Sequence, residues 1–219
     1  MNFKYIKNPH NSVAINYSEK PQKCDICQKY STGYEGPYYG YEDINFICED
    51  CLLNGKLKEK DIEANLGHRF ILKRQLKKLY PDKDEQDIET LVNQRTEEIN
   101  YRTPPLTTFQ EFTWPVHCGD YCCFIMEAGK SELNELSSSG NGKDFLKSLP
   151  EWENYGEDIQ LSDSQREYKE IDDIDWLDID SLWNYLPLHS PKNESDPVSP
   201  LFLFQCLVCK KYVALLDFD

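Results

Sequence analysis

The chain has 219 residues, enough for one sizeable domain or two small ones. Its 39 acidic residues against 24 basic ones give a formal net charge of -15, while aromatic residues make up 13% of the sequence and can build a core. This charge argues against a general DNA or RNA binder, which needs a cationic surface, and against docking on an anionic membrane. It favours basic partners, which an acidic protein attracts at long range.

No targeting or membrane segment stands out. The opening stretch, MNFKYIKNPHNSVAINY, contains no apolar run of signal-peptide length, and no stretch approaches the ~20 apolar residues of a membrane span. We therefore expect a cytoplasmic protein whose nine cysteines stay reduced. In a reducing compartment, paired thiols indicate metal or redox chemistry, and an odd number of cysteines fits a disulfide framework poorly.

Residues 1–80 are predicted to form an N-terminal zinc module. Residues 1–22 are expected to be an extended lead-in that closes at Pro21. From Tyr30 to Ile47, Gly and Pro turns alternate with aromatic residues, which predicts short strands and a hairpin. A short helix is expected to open at Glu49. A cysteine pair in a tight turn, then a hairpin, then a second pair at a helix start is typical of a treble-clef or ribbon-like zinc module.

Residues 81–219 are predicted to form a second, α+β part. Its first element is a helix in PDKDEQDIETLVNQRTEEIN, because the apolar residues follow helical spacing and acidic residues crowd the first turn. Thr103-Pro104-Pro105 should end this helix. A shorter helix is predicted at Ser131–Leu136, and LFLFQCLVCKKYVALLDFD predicts two strands around a third cysteine pair. The whole chain is thus assigned to the α+β class, with short antiparallel strands, a few helices and small zinc knuckles.

An acidic insertion is predicted at about residues 137–200, beginning with the flexible-looking SSSGNG. Residues 151–180 carry twelve acidic against two basic residues, interleaved with Trp and Tyr. Two interpretations stay open: a surface that binds a basic protein through charge and aromatic anchors, or a solvated loop that keeps the protein soluble. Within DIDWLDIDSLWNYL, partial order is expected, with Leu177, Trp183 and Leu186 on one side.

The first four cysteines form two C-x-x-C pairs, separated by twenty residues. Zinc favours four thiolate or imidazole ligands in a tetrahedron, and two residues between cysteines let a tight turn aim both sulfurs at one ion. Lone core cysteines have no reason to recur in pairs at one fixed spacing. We therefore predict a zinc site at Cys24, Cys27, Cys48 and Cys51.

A second zinc site is predicted from the remaining cysteines, but its ligands are less sharply defined. The third pair is Cys206 and Cys209, and the other cysteines lie beside His117. The favoured set is Cys118, Cys122, Cys206 and Cys209. His117 or Cys123 could replace one of these, although His117 alone is expected to be a hydrogen-bonded structural histidine, and either Cys122 or Cys123 an ordinary buried thiol.

The motifs of zinc enzymes are missing from the sequence. The deaminase signature H-x-E with P-C-x-x-C fails, since Cys118 follows His117 and Gln205 precedes Cys206, and there is no H-E-x-x-H. Binding is therefore favoured over catalysis. The alternatives are a metal-dependent enzyme with a site near Asp120 and Glu127, and a zinc-ribbon nucleic-acid binder. The basic cluster RFILKRQLKK is interpreted as the solvated face of an amphipathic segment.

The sequence resembles the CbrC family of largely uncharacterised bacterial proteins in four blocks, which cover about half of the chain. The blocks are F-K-Y-x-x-x-P (Phe3 to Pro9); C-x-x-C with G-P-x-Y and I-C-x-x-C-x-x-x-G (Cys24 to Gly55); Y-R-T-P with W-P-V-H-C-G-D-Y-C-x-F-I (Tyr101 to Ile125); and L-F-x-C-L-x-C-x-K-Y with a terminal D-F-D (Leu203 to Asp219). The likeness is weakest between Leu136 and Pro200.

The resemblance implies a cytosolic, zinc-binding protein, and the family's name is tied to tolerance of a nuclease colicin. It also supports Cys118 and Cys122 as matched metal positions and leaves Cys123 as an extra thiol. We accordingly expect a zinc-stabilised protein of the CbrC type that acts by protein binding. The expected partner is a basic protein such as a nuclease toxin domain.

Overall fold

The computed structural model describes residues 3–109, 112–149, 179–193 and 195–217. Within these ranges, eight strands form three small antiparallel sheets, and six α-helices and one 3-10 helical turn (Lys56–Lys60) accompany them. The predicted α+β class is confirmed. The strands are β1 (Tyr17–Lys23), β2 (Tyr30–Glu35), β3 (Phe46–Cys48), β4 (Val116–His117), β5 (Asp120–Tyr121), β6 (Cys123–Glu127), β7 (Leu201–Gln205) and β8 (Tyr212–Leu216). The helices are α1 (Glu49–Leu53), α2 (Arg69–Leu79), α3 (Glu85–Arg102), α4 (Lys130–Leu136), α5 (Gly142–Ser148) and α6 (Ile179–Tyr185).

The first sheet has the order β1-β2-β3, and α1 follows directly from its last strand. The predicted hairpin and the helix at Glu49 are therefore both present. Strand β1 continues through Pro21, where the sequence predicted an end, because the pairing with β2 shifts register between Ser18 and Gln22. Proline lacks an N–H donor and is tolerated at such an irregularity on an edge strand.

The last sheet, β6-β7-β8, is covered on both faces. Side chains alternate along a strand, so Phe202 and Phe204 join the main core while Leu201 and Leu203 join a second, smaller core beneath the later helices. Burial on both faces explains why this predicted strand reads as the continuous apolar run LFLF rather than an alternating pattern.

The main core draws buried residues from both sides of the predicted domain boundary at residue 80, such as Tyr5, Leu72, Trp114 and Phe204. Strand β6 also pairs with the N-terminal segment, since the Phe124 N–H donates to the Tyr5 carbonyl over 2.8 Å. The two predicted parts therefore share one hydrophobic core. The division into 1–80 and 81–219 stays a prediction.

The predicted insertion contains two helices that help to build the second core. Leu146 of α5 and Leu182 of α6 are buried there, together with Leu186, and Trp183 packs against them. Helix α5 begins at the predicted SSSGNG break, because the Asn141 side chain accepts hydrogen bonds from the Lys143 and Asp144 amides. Residues 150–178 lie outside the described residues, and they include Leu177 and most of the acidic residues of the predicted insertion.

Helix α3 starts at its Asp84 cap and ends at Thr103, and α4 runs from Lys130, so both predicted helices are confirmed within a few residues. Across the described ranges, no helix has the length and apolarity needed to cross a bilayer.

Candidate metal centres

The first cysteine pair lies in a tight loop between β1 and β2. The Cys24 N–H donates to the Lys29 carbonyl, and the Gln28 N–H donates to the Cys24 carbonyl, each over 2.9 Å. Gln28 closes the loop with a φ of 61°, in the left-handed region. This short turn holds both sulfurs on the same side of the hairpin.

The second pair comes from the junction of β3 and α1. Cys48 is the last residue of β3, and Cys51 lies in the first turn of α1. Asp25 fastens this junction to the first loop, because its carboxylate accepts the Asn45 and Phe46 amides over 2.8 and 3.1 Å. A knuckle, a hairpin and a cysteine pair at a helix start match the treble-clef or ribbon-like arrangement that the sequence predicted.

The four sulfurs converge as the ligands of a single ion would. The Cys27 and Cys48 Sγ atoms are 3.7 Å apart, and all four Sγ atoms lie within 4.8 Å of one another. Zn–S bonds of about 2.3 Å in a tetrahedron place neighbouring sulfurs about 3.8 Å apart. Cys24, Cys48 and Cys51 are buried, and none of the nine cysteines forms a disulfide. The predicted group is therefore assembled and fits one metal ion.

The pKa values of these thiols also indicate a site for a cation between the sulfurs. The backbone amide of Lys29 donates a hydrogen bond to Cys27 and lowers the pKa of that thiol to about 7. Burial instead raises the pKa of Cys48 and that of Cys51, since a buried thiolate is costly without a positive charge beside it. A metal ion supplies that charge, and its binding would release the protons.

The loop between β7 and β8 repeats the geometry of the first loop. The Cys206 N–H donates to the Lys211 carbonyl over 2.8 Å, and the Lys210 N–H donates to the Cys206 carbonyl over 3.1 Å. Lys210 has a φ of 61°, the same value as Gln28. Cys206 and Cys209 thus form a second knuckle of the same backbone design, 182 positions further along the chain.

The hairpin β4–β5 faces this second knuckle. Its two-residue turn is Cys118-Gly119, and φ is positive at both positions, 52° and 74°. Two-residue hairpin turns of this kind match the right-handed twist of the strands that they connect. The φ of 74° at residue 119 favours glycine, since a residue with a Cβ is strained in this region. The hairpin carries His117 and Cys118 to the knuckle.

The resulting donor group is His117, Cys118, Cys206 and Cys209, with the donor atoms within 4.8 Å of one another. The His117 Nδ1 atom is 3.4 Å from the Cys209 Sγ atom. Zn–N bonds of about 2.0 Å and Zn–S bonds of about 2.3 Å in a tetrahedron give an N–S separation of about 3.5 Å. This group also fits one metal ion, and Cys209 is its exposed member.

His117 takes the position in this group for which the sequence favoured Cys122. Cys122 follows the hairpin, its side chain is fully buried in the main core, and its carbonyl accepts the Trp114 indole N–H over 2.7 Å. Cys123 lies outside the group as well, with its thiol directed to the Phe124 carbonyl. The signal that could have found His117 is Gly119, which predicts a tight turn and places residues 117 and 118 at the tip of the hairpin beside the knuckle.

Burial lowers the pKa of His117, which keeps its imidazole neutral, the form that binds metals. Burial also raises the pKa of Cys118 to about 12. For Cys209, burial acts to raise the pKa, but hydrogen bonds from the Lys211 amide and from Cys206 outweigh it, and the net shift is downward. The Cys209 thiol is therefore more easily converted to thiolate than the Cys118 thiol.

Asp120 and Glu127, the residues of the enzyme alternative, hold the N-terminal segment in place. Asp120 accepts a hydrogen bond from the Tyr5 hydroxyl over 2.6 Å and pairs with Lys4 over 3.1 Å. Glu127 is buried and accepts the Ser12 hydroxyl and the Ala14 amide over 2.8 and 2.6 Å. Each carboxylate thus has a structural role in the described residues.

The basic cluster forms α2, with Ile71, Leu72 and Leu76 buried beneath it. On its outer side, Lys73 pairs with Glu85 and Glu89 of α3 over 2.7 and 2.6 Å. These contacts match the predicted amphipathic helix with a charged, solvated face.

Comparison with known proteins points to one family. The family model of UPF0167, described as an uncharacterised protein family, matches residues 1–177, which include the first group and the His117 hairpin. The UPF0167 proteins Mb2317 of Mycobacterium bovis and MT2352 of Mycobacterium tuberculosis are each 26% identical to the chain, over 99% of it and 92% of their own length. No solved structure gives a significant match. The likeness to CbrC proteins stays a resemblance.

Proposed function

The chain belongs to UPF0167, an uncharacterised protein family, and on that premise we propose that it is a zinc-stabilised protein that acts by binding another protein. The observation that carries the proposal is the first group, in which four cysteine sulfurs meet in a mostly buried cluster without a disulfide. Thiolate donors in a tetrahedron favour zinc or an iron–sulfur cluster. The closeness of all four sulfurs, within 4.8 Å of one another, favours a single ion, since a cluster with its own sulfides would hold cysteines of different irons further apart.

Both groups supply four protein donors, which supports a structural role for the metal. A catalytic zinc keeps one position open for water, whereas four protein ligands close the tetrahedron. When bound, zinc would supply positive charge that neutralises buried thiolates and would link separate elements. The first group would link the β1–β2 loop to the β3–α1 junction, and the second would link the β4–β5 hairpin to the β7–β8 loop.

We propose that the partner is a basic protein, of the kind a nuclease toxin domain presents, and that the two meet in the cytoplasm. The net charge of -15 supports a basic partner, and four thiolates around Zn²⁺ would add a further charge of about -2 at the first group. The nine unpaired cysteines support a reducing compartment. The nuclease class comes from the resemblance to CbrC proteins.

Metal analysis of the purified full-length protein tests the proposal. We expect about two zinc ions per chain, and we expect Cys24→Ser to lose the first ion together with the folded state, because structural zinc in zinc-finger peptides contributes roughly 10–16 kcal/mol of apparent binding free energy. Cys123→Ser is the matched control, since this buried cysteine lies outside both groups. Its zinc content and thermal unfolding should stay close to those of the parent protein. Zinc-free protein with an unchanged melting curve would overturn the proposal.

A further inference from the structure

The two donor groups differ in how far water reaches their sulfurs. Of the eight donors that the described residues supply to them, Cys209 alone is exposed. In the first group, three cysteines are buried and Cys27 is partly buried. We propose that the second group is an oxidant-responsive metal site, which releases its ion when peroxide joins Cys206 and Cys209 in a disulfide, while the first group keeps its ion. The inference rests on the proposed function, because it requires an ion in each group.

The knuckle presents one accessible sulfur and one protected sulfur in the same short loop. Cys209 is exposed, and its neighbour Val208 is 64% exposed, so a small oxidant can approach from solvent. Cys206 is fully buried, and the amides of Val208 and Cys209 lie 3.4 and 3.5 Å from its Sγ atom. This loop therefore places a second nucleophile directly behind the first, which is the arrangement that turns an oxidised cysteine into a disulfide.

The chemistry balances with hydrogen peroxide as the oxidant. The Cys209 thiolate attacks one peroxide oxygen, the O–O bond breaks, and the departing hydroxide takes a proton to become water. The resulting sulfenic acid is attacked by the Cys206 thiolate, the S–O bond breaks, and a second hydroxide leaves and is protonated. Two thiolates have lost two electrons to form one S–S bond, and peroxide has become two water molecules. A disulfide is a poor zinc ligand, so the ion is left with His117 and Cys118 alone.

The fold should survive this loss. The β4–β5 hairpin is also held beside β7 without the second group, through the segments on either side of it. Strand β6, which follows β5, pairs with β7, and Trp114, which precedes β4, packs edge to face on Phe204 at 5.5 Å. The first group has no such exposed sulfur. Cys27, which takes the place of Cys209 in the first loop, is only partly exposed, and the other three cysteines are buried, so peroxide should reach this group later.

The test follows zinc release from the full-length, zinc-loaded protein with a metal-sensitive dye during titration with hydrogen peroxide. We expect one of two zinc equivalents to appear well before the second, and peptide mass spectrometry at that point should find Cys206 linked to Cys209. A thiol reductant with added zinc should restore the second equivalent. Cys209→Ser removes a donor, so it should start with one zinc ion and show no early release, whereas Cys123→Ser should start with two and retain the early release.

The outcomes separate the two proposals. Two zinc ions per chain that leave together, or an early disulfide within the first group, would overturn this inference and leave the proposed function standing. Fewer than two ions in the untreated protein would overturn the second metal site itself, and this inference with it. Circular dichroism during the titration checks that the early release occurs from folded protein, as the inference requires.

Discussion

Glu127 shows how one buried side chain fastens the N-terminal segment to the body of the protein. Glu127 is the last residue of β6 and is only 2% exposed, and its two carboxylate oxygens accept hydrogen bonds from the Ser12 hydroxyl and the Ala14 amide. Burial raises the pKa of this carboxyl, although the hydrogen bonds act in the opposite direction. The folded state therefore binds the Glu127 proton more tightly than the unfolded chain, in which a glutamate has a pKa of about 4.3.

This shift predicts a pH dependence of stability. Because the pKa is higher in the folded state, the stabilisation from Glu127 is complete below about pH 4.3 and is lost as the pH rises through the folded-state pKa. Glu127→Gln keeps a neutral group able to contact Ser12 and Ala14, so the variant should gain stability relative to the parent protein across that window. Urea unfolding of both proteins over a pH series measures the difference. Two curves that stay parallel would show that the carboxyl does not titrate differently on folding.

At the scale of elements, the cysteine knuckles were predictable because their donors are neighbours in sequence. A C-x-x-C pair fixes its own loop, and the hydrogen bonds of Cys24 and Cys206 to the residues that follow them are local. The partners of the second knuckle are not local. Whether His117 or Cys122 faces it depends on a two-residue turn and on the alternation of side chains along β5 and β6. Sequence spacing cannot decide that choice, because Cys118-x-x-x-Cys122 looks as regular as a true ligand pair.

The hairpin geometry predicts a clear difference between two substitutions. His117→Ala should reduce the zinc content from two ions to one, since it removes a donor that lies 3.4 Å from the Cys209 sulfur. Cys122→Ala should keep both ions and lose stability only on the order of 1 kcal/mol, as for a buried group of methyl size. Metal analysis and thermal unfolding of each variant measure the two effects.

His117→Cys serves as the matched variant, because a thiolate at position 117 offers a donor in the same place and should restore the second ion. Loss of an ion in Cys122→Ala, with two retained in His117→Ala, would show that the ligand set favoured from the sequence was correct.

For the whole molecule, the sequence predicted the class and most elements, and it missed how the later part of the chain folds back. Helix α5 was overlooked because SSSGNG looks like a flexible break, although Asn141 within it caps the helix. The continuous apolar run of β7 could not reveal that its two faces serve different cores, since that depends on which helices cover each face. Long-range packing, rather than local propensity, decides both features.

The distribution of charge over the molecule gives the last prediction, which tests the proposed basic partner. If the acidic residues within 151–178 guide the encounter, replacing four of them (Asp172, Asp173, Asp175 and Asp178) with Asn should slow association with a basic nuclease domain. The matched control neutralises four exposed acidic residues elsewhere: Glu19, Asp43, Asp82 and Glu135. Both variants lose the same formal charge, so a general effect of net charge would slow both equally, whereas a local binding segment slows the first far more.

Surface plasmon resonance at rising salt measures the rates, and screening should erase the difference, since the Debye length falls from about 10 Å at 0.1 M to about 3 Å at 1 M. Equal rates for the two variants at low salt would rule out the segment as the binding surface.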